Sequence, residues 1–310
     1  QHPELMGEYG VHLAFKALKG EPIDSFVRTP IDLITYDSFN KIIGISISDI
    51  KNPFFASLVQ GAKDTALLFG SELKILNANN DDSQQLTDIM NLLKEKLNGV
   101  IINPTNSEIM GPAIELANQK NVPVITVDRK VNGGHIATHI ASDNIEGGKM
   151  AAQAIAKSLH NKGTVIEIEG IPGTSAAHER GKGFNDMLSQ FADIKIIARE
   201  TANFDRKDAE KVMLRILKKG IMVDAVFAHN DTMILGVLDA LKQMNKPLPV
   251  LVGFDAIDEA VVKVKQGELT ATIAQKPYKM GQLAVQNSVN LFRNETISPV
   301  IPVELNLIQK

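Results

Sequence analysis

The chain has 310 residues, enough for two lobes of ordinary domain size, and its 44% hydrophobic and 22% charged content is that of a globular protein. A formal net charge of −3 and a pI near 6.2 give none of the basic footprint of a nucleic-acid or anionic-membrane binder. There is no cysteine, which removes disulfides, thiolate metal sites and cysteine nucleophiles, and no apolar run approaches the roughly 18 residues of a membrane span.

Residues 1–39 read as one amphipathic helix followed by a proline-bounded extended stretch. No secretory leader is legible there. From Lys41 onward strand and helix patterns alternate. Strand 41–48 leads to Asn52, which caps a helix with Pro53 at its first position, where the missing N–H costs nothing. That helix runs to about Phe69 and stops at Gly70. Strand 73–77, helix 82–96, strand 99–103, helix 108–120 and strand 123–128 complete a first series. A second begins near Asn144 with a helix to about Leu159. Strand 164–169, helix 175–191, strand 195–200, helix 207–219, strand 225–228, helix 232–244, strand 250–254, helix 257–266 and strand 269–274 follow. Repeated βα units with short loops predict parallel sheets covered by helices on both faces, with right-handed crossovers. Two series imply two similar lobes with a cleft between them.

Six apolar runs end in polar residues: 44–55 (GISISDIKNPFF), 99–106 (GVIINPTN), 122–130 (VPVITVDRK), 225–231 (AVFAHND), 250–256 (VLVGFDA) and 270–277 (TATIAQKP). Short Val/Ile-rich runs of this kind are buried parallel strands. Ligands of open α/β sheets bind beyond the carboxyl ends of the strands. Asn52, Asn103, Asp128, Arg129, Asn230, Asp255 and Gln275 therefore fall where a ligand sits, with Phe54, Phe55 and Phe254 beside them. Phe204, after strand 195–200, is a candidate for the opposite wall. Amides, carboxylates and a guanidinium among aromatics suit a small neutral polyol, whose C–H faces are apolar and whose edge is polar.

Each feature also has a plainer reading. Asp128-Arg129 could be a buried structural ion pair, Asp255 a helix cap, and Phe54-Phe55 core, although neighbours on a helix point about 100° apart and cannot both face one core. Residues 170–183 (GIPGTSAAHERGKG) lack the Gly-Lys-Ser/Thr ending of a phosphate loop; they read as a turn, with Thr174 or Ser175 capping a helix and Arg180 one turn inside it aimed at the crevice. His135 and His139 have zinc spacing only on a helix, and their segment reads as extended. No Ser/His/Asp set or paired carboxylates stand in a catalytic context, so neither an enzyme nor a cofactor is expected.

The last 36 residues echo the first 39. Gln1, Pro3, Met6, Gly7, Val11, Glu21 and Ile23 match Gln275, Pro277, Met280, Gly281, Val285, Glu295 and Ile297 without a gap. After a two-residue shift Pro30 and Leu33 match Pro302 and Leu305. Chance likeness of two amphipathic helices is the alternative, but the matches include Pro, Met and Gly at fixed offsets.

The motifs Asn52-Pro53-Phe54-Phe55, Ile102-Asn103-Pro104-Thr105, Asp128-Arg129, Ser142-Asp143-Asn144, Gly173-Thr174-Ser175-Ala176-Ala177, Glu179-Arg180-Gly181, Asn203-Phe204-Asp205-Arg206, Asn230-Asp231, Gly253-Phe254-Asp255 and Ala274-Gln275 resemble those of bacterial periplasmic ribose-binding proteins over about 40–310. The resemblance implies the type I periplasmic binding protein fold: α/β, two doubly wound parallel-sheet lobes joined by a three-crossover hinge near 141–143, Gln275 and Val303. The lobes would be 40–142 plus 276–303 and 143–275 plus 304–310, with 1–39 as an extra segment. It also implies sugar hydrogen-bonders at Asn52, Asn103, Asp128, Arg129, Arg180, Asn230, Asp255 and Gln275, and aromatic walls at Phe54, Phe55, Phe204 and Phe254. His178 departs from the family, which often has Arg there. The expected function is periplasmic: a monosaccharide, most plausibly D-ribose, bound by hinge closure and delivered to an ABC permease or a chemoreceptor. Residues 1–39 have no counterpart before the first strand. They suit the tail of a preceding tandem copy, or exchange with a neighbouring chain. The competing classes are the effector-binding part of a lac-repressor-type regulator, which would need a helix-turn-helix that 1–39 does not offer, and the sensor domain of a receptor.

Overall fold

A computed structural model describes residues 41–310, together with Ala14; the remainder of the N-terminal repeat lies outside the described residues. Strands β1 (Ile42–Ile47), β2 (Glu72–Asn77), β3 (Gly99–Ile102), β4 (Val124–Val127) and β5 (Thr138–Ser142) are interleaved with helices α1 (Pro53–Leu68), α2 (Asp82–Leu92) and α3 (Gly111–Gln119). Helix α4 (Asn144–Ser158) opens a second series: β6 (Gly163–Glu169), α5 (Ser175–Leu188), β7 (Ile194–Thr201), α6 (Arg206–Lys218), β8 (Ala225–Ala228), α7 (Asp231–Gln243), β9 (Val250–Asp255), α8 (Asp258–Gln266) and β10 (Ala271–Ala274). Helix α9 (Pro277–Phe292) and strands β11 (Val300–Val303) and β12 (Asn306–Gln309) close the chain.

The strands form two six-stranded sheets, ordered β11-β5-β4-β3-β1-β2 and β12-β10-β9-β8-β6-β7. Every pairing is parallel except β10 with β12. Order 4-3-1-2 within each sheet places a switch point beside β1 and its counterpart β6, where loops diverge and leave a crevice. The chain passes from one sheet to the other after β5, returns after β10, and passes again between β11 and β12. The hinge is therefore three strands wide, as the expected fold requires.

Local chemistry sets the elements. Asn52, Asp81, Asp143, Thr174, Asp205 and Asn230 each accept a backbone N–H at the start of their helix, satisfying donors that the first turn leaves unpaired. Ile43, Ile45 and Ile47 of β1 pack with Leu58 of α1 and with Met280 and Val285 of α9 in the first lobe. Phe227 of β8 stacks on Phe184 of α5 in the second, their ring centroids 4.4 Å apart. Several helix bounds differ from the sequence reading: α3 starts at Gly111 and not at 108, and α5 ends at Leu188 and not at 191. Helix α2 stops at Leu92, four residues early, and Leu93 and Leu97 turn inward as loop residues of the core. The stretch around His139 is a full strand, β5, flanked by β4 and β11; its polar Thr138, His139 and Ser142 concealed it from an apolar-run criterion.

Candidate functional site

Between the carboxyl ends of the two sheets lies a tight pocket lined by Asn52, Phe54, Phe55, Asp128 and Arg129 from one lobe and Ala176, Arg180, Phe204, Asn230 and Asp255 from the other. The loops around it hold the lobes together. Ser107 N donates to Gly173 O (3.0 Å), Ser175 N to Ser107 Oγ (2.9 Å) and Lys130 N to Ser175 Oγ (2.8 Å). Lys130 and Glu179 form an ion pair of 2.6 Å at the rim. The structure is thus a closed one.

Asp128 directly follows β4 with φ 63°, a left-handed backbone that Asp tolerates better than most residues. Its Oδ2 accepts from Asn103 Nδ2 (3.3 Å) and lies 3.7 Å from Arg129 Nε. Asn103 Nδ2 also donates to Val127 O (3.2 Å), while its Oδ1 accepts from Ser48 Oγ (2.7 Å). Asn103 therefore braces Asp128 from behind. Arg129 donates through Nη1 to Pro104 O (3.0 Å), and its guanidinium sits 5.3 Å from the ring centroids of both Phe55 and Phe204. One cation is thus stacked between an aromatic of each lobe. Its buried Nε has no hydrogen-bond partner.

The second lobe mirrors this arrangement. Asp255 ends β9 with φ 113° and accepts from Gln275 Nε2 (2.8 Å). Arg180, one turn into α5, donates through Nε to Asn144 Oδ1 (2.8 Å) and through Nη1 to His229 O (2.6 Å). Its Nη1 is 3.6 Å from Asp255 Oδ1, and its guanidinium carbon is 3.8 Å from the centroid of Phe254. Asn230 caps α7 through Oδ1 to Met233 N (3.0 Å), which leaves its amide N–H groups for the cleft. Phe204 carries φ 57°, a costly backbone for a bulky residue. Gly170 makes room for it: a Cβ there would lie 2.1 Å from the Phe204 ring. That pair of features is built to hold one ring in one place.

Electrostatics follow from burial. Asp128, Arg129, Arg180 and Asp255 are each at least nine-tenths buried, two charges of each sign. Burial pushes the Asp255 carboxyl up to about 7 against the opposing pull of Arg180, and pushes Asp128 up against Arg129. Burial also lowers Arg129 to about 10. Both acids would gain from donors that replace their lost water.

Of the residues named from sequence, Phe254, Asn103 and Gln275 stand one layer behind the pocket wall. Phe254 is core that backs Arg180, Asn103 holds Asp128, and Gln275 holds Asp255 while its own buried Oε1 lacks a partner. Phe54 and Phe55 meet edge to face, 5.1 Å apart, and line the pocket, but both are also buried in the first lobe's core, so the expectation that adjacent rings cannot share one core does not hold. Sequence reasoning missed Ala176, Asn144 and the pair behind Arg180. Buried Glu167 accepts from Asn185 (3.1 Å) and Arg199 Nε (2.8 Å) and meets His229 Nε2 at 3.0 Å. This pair fixes the carbonyl that Arg180 uses. The HIATH histidines behave as the plainer reading held: His139 is buried and bonded to Thr126 Oγ1 (2.8 Å), and His135 is exposed. Among the described residues no cluster of His, Asp or Glu could hold a metal.

A two-lobed α/β clamp with acids, amides and guanidiniums on both jaws is the architecture of a solute-binding protein. The comparisons agree. A profile of the periplasmic binding protein domain matches residues 43–296, and the chain belongs to that family. The ribose import binding protein of Haemophilus influenzae is 41% identical over 268 residues, 86% of this chain and 91% of that protein. Its Escherichia coli K12 counterpart is 40% identical over 268 residues, with 86% and 90% covered. The crystal structure of the Caulobacter myo-inositol binding protein bound to myo-inositol superposes with a TM-score of 0.83 at 30% identity, over 86% of this chain and 93% of that one. The chain is a type I periplasmic sugar-binding protein of the ABC-import class, a carrier of solute and not an enzyme.

Proposed function

We propose that this protein binds D-ribose in the pocket between its lobes and carries it through the periplasm to an ABC permease. The observation that supports this best is the pairing of Asp128-Arg129 on one jaw with Arg180-Asp255 on the other, all four lining one pocket. Phe54, Phe55 and Phe204 would cover the ring's C–H surfaces. The carboxylates accept from vicinal hydroxyls, and the guanidiniums and the Asn52 and Asn230 amides donate. The two relatives whose names specify ribose, at about 40% identity, support the choice of pentose.

Closure follows from differential contact. A sugar touching one lobe alone shifts nothing; one that bonds both lobes is held more tightly in the closed state and draws the hinge shut. The closed face, which spans both lobes, is then what a permease reads, and a chemoreceptor could read the same face. Calorimetric titration with D-ribose, D-allose and myo-inositol tests this reading. Ribose is expected to bind at least a hundredfold more tightly than the other two. Preference for myo-inositol, the ligand of the Caulobacter neighbour, would overturn the pentose assignment.

A further inference from the structure

Asp231 is a buried acid that does not line the pocket. It opens α7, directly after Asn230, and its side chain is fully enclosed. Burying an acid is costly unless its oxygens are satisfied. Here neutral donors satisfy them: Thr272 Oγ1 donates to Oδ1 (2.7 Å) and Ile257 N donates to Oδ2 (2.9 Å). The Thr272 hydroxyl in turn accepts from Ala256 N (3.2 Å). One carboxylate and one hydroxyl thus hold two successive backbone N–H groups, and those two follow Asp255 directly.

The held turn is strained. Asp255 has φ 113° and Ala256 has φ 56°, two left-handed residues in succession and neither a glycine. Alanine has no polar side chain to favour that backbone locally, and such strain persists only where the surroundings over-determine it. Ile257, the N-cap of α8, makes no side-chain cap bond. The restraint comes instead from 26 residues upstream and 16 downstream. Strand β9 gives up a side chain to admit it: a Cβ on Gly253 would lie 2.1 Å from Asp231 Oδ1, and Gly253 is the register partner of Thr272. Burial, and after it the Asp255 charge, push the Asp231 carboxyl well above the ordinary carboxylate range, while Thr272 and the two turn N–H groups pull it back.

The backbone direction at the end of β9 decides where the Asp255 carboxylate points. Gln275 steadies the side chain itself (2.8 Å); the clamp steadies the main chain that carries it. The start of α7 therefore serves the cleft twice, through Asn230 on the pocket wall and through Asp231 beneath it. We propose that Asp231 and Thr272 are positioning residues for the ligand: their clamp holds the 255–256 turn in its strained form and so aims the Asp255 carboxylate into the cleft. This rests on the reading of Asp255 as a sugar contact.

Thr272→Val keeps the side-chain shape and removes the hydroxyl. By calorimetric titration ribose should weaken by about tenfold or more, whereas Thr272→Ser, which keeps the hydroxyl, should bind within about threefold of the parent. Adding Ala256→Gly to Thr272→Val should regain most of the loss, because glycine adopts a positive φ without help. In an Asp255→Ala background Thr272→Val should cost less than about twofold more, because no carboxylate is left to aim. A merely structural role would give equal losses in both backgrounds and no rescue by a glycine 16 residues away. The inference is overturned if Thr272→Val binds within about threefold of the parent, or if its loss is the same with and without the Asp255 carboxylate. Should Thr272→Val fail to fold, the variant that also carries Ala256→Gly must fold and bind ribose, and its failure overturns the inference as well. Parent affinity in Asp255→Ala alone would instead sink the reading of Asp255 as a sugar contact.

Discussion

Replacing Asp255 with Asn separates what this side chain does for the ligand from what it costs the fold. The substitution keeps the shape and the Gln275 neighbour and removes the charge. In the proposed complex the carboxylate accepts from sugar hydroxyls, and a hydrogen bond to a charged group contributes about 1.5–3 kcal/mol. Losing one such bond, with the second converted to a neutral one, weakens ribose by about 3 kcal/mol, or roughly a hundredfold. Stability should move the other way. The folded carboxyl is raised to about 7 by burial, so the closed fold binds its proton more tightly than the unfolded chain does. Its destabilising effect is absent below the ordinary value of 3.8, grows as pH rises towards about 7, and is constant above that. At pH 8 the closed fold of Asp255→Asn should therefore gain stability, with about 4 kcal/mol as the upper limit. At pH 3.5 the variant and the parent should match. Calorimetric titration gives the affinity, and thermal melts at the two pH values give the stability. Ribose binding within threefold of the parent would refute the two-jaw account. A variant less stable than the parent at pH 8 would refute the electrostatic argument.

Other substitutions probe separate parts of the same reasoning. Phe204→Ala removes a pocket wall and half of the sandwich around Arg129, so ribose should weaken by about 1–3 kcal/mol; unchanged affinity by titration would show that the ring does not cover the sugar. Lys130→Ala breaks the rim ion pair with Glu179, whose lysine is half exposed, and exposed pairs are worth at most about 1 kcal/mol; a Kd shift beyond about fivefold would mean that the rim, not the pocket, governs closure. His139 is lowered to about 4, chiefly by burial and then by Lys130. Its neutral form is favoured in the fold, so stability present above about 6.5 is lost progressively as pH falls towards 4. A pH series of melts should show this slope reduced in His139→Gln, and identical slopes would assign the acid sensitivity elsewhere.

Much of this was legible from residues alone because the signals are local. Runs such as 99–106 and 250–256 are apolar for as long as the strand is buried and turn polar where it emerges, so the pocket's polar edge is written at the strand ends. Asn52 and Asn230 were readable twice over, since a cap and a ligand group use the same side chain. Strand β5 was legible only as extended chain, because its pairing between β4 and β11 depends on residues about 160 positions downstream. The Glu167–His229 brace was equally hidden: a buried acid in mid-strand carries no periodicity, and only the fold brings His229 to it across 62 residues.

Sequence by itself determined the parallel two-lobed class and the polar residues at the strand ends, since both rest on residue type and spacing along the chain. Only the tertiary structure decided which side chains face the pocket and which stand behind it. It also decided that one arginine is stacked between aromatics of opposite lobes, and that glycine is compulsory where α9 crosses α1. Those outcomes depend on distances of a few ångströms between segments far apart in sequence, and close packing fixes them only once both sheets, three crossings and the closed hinge are in place.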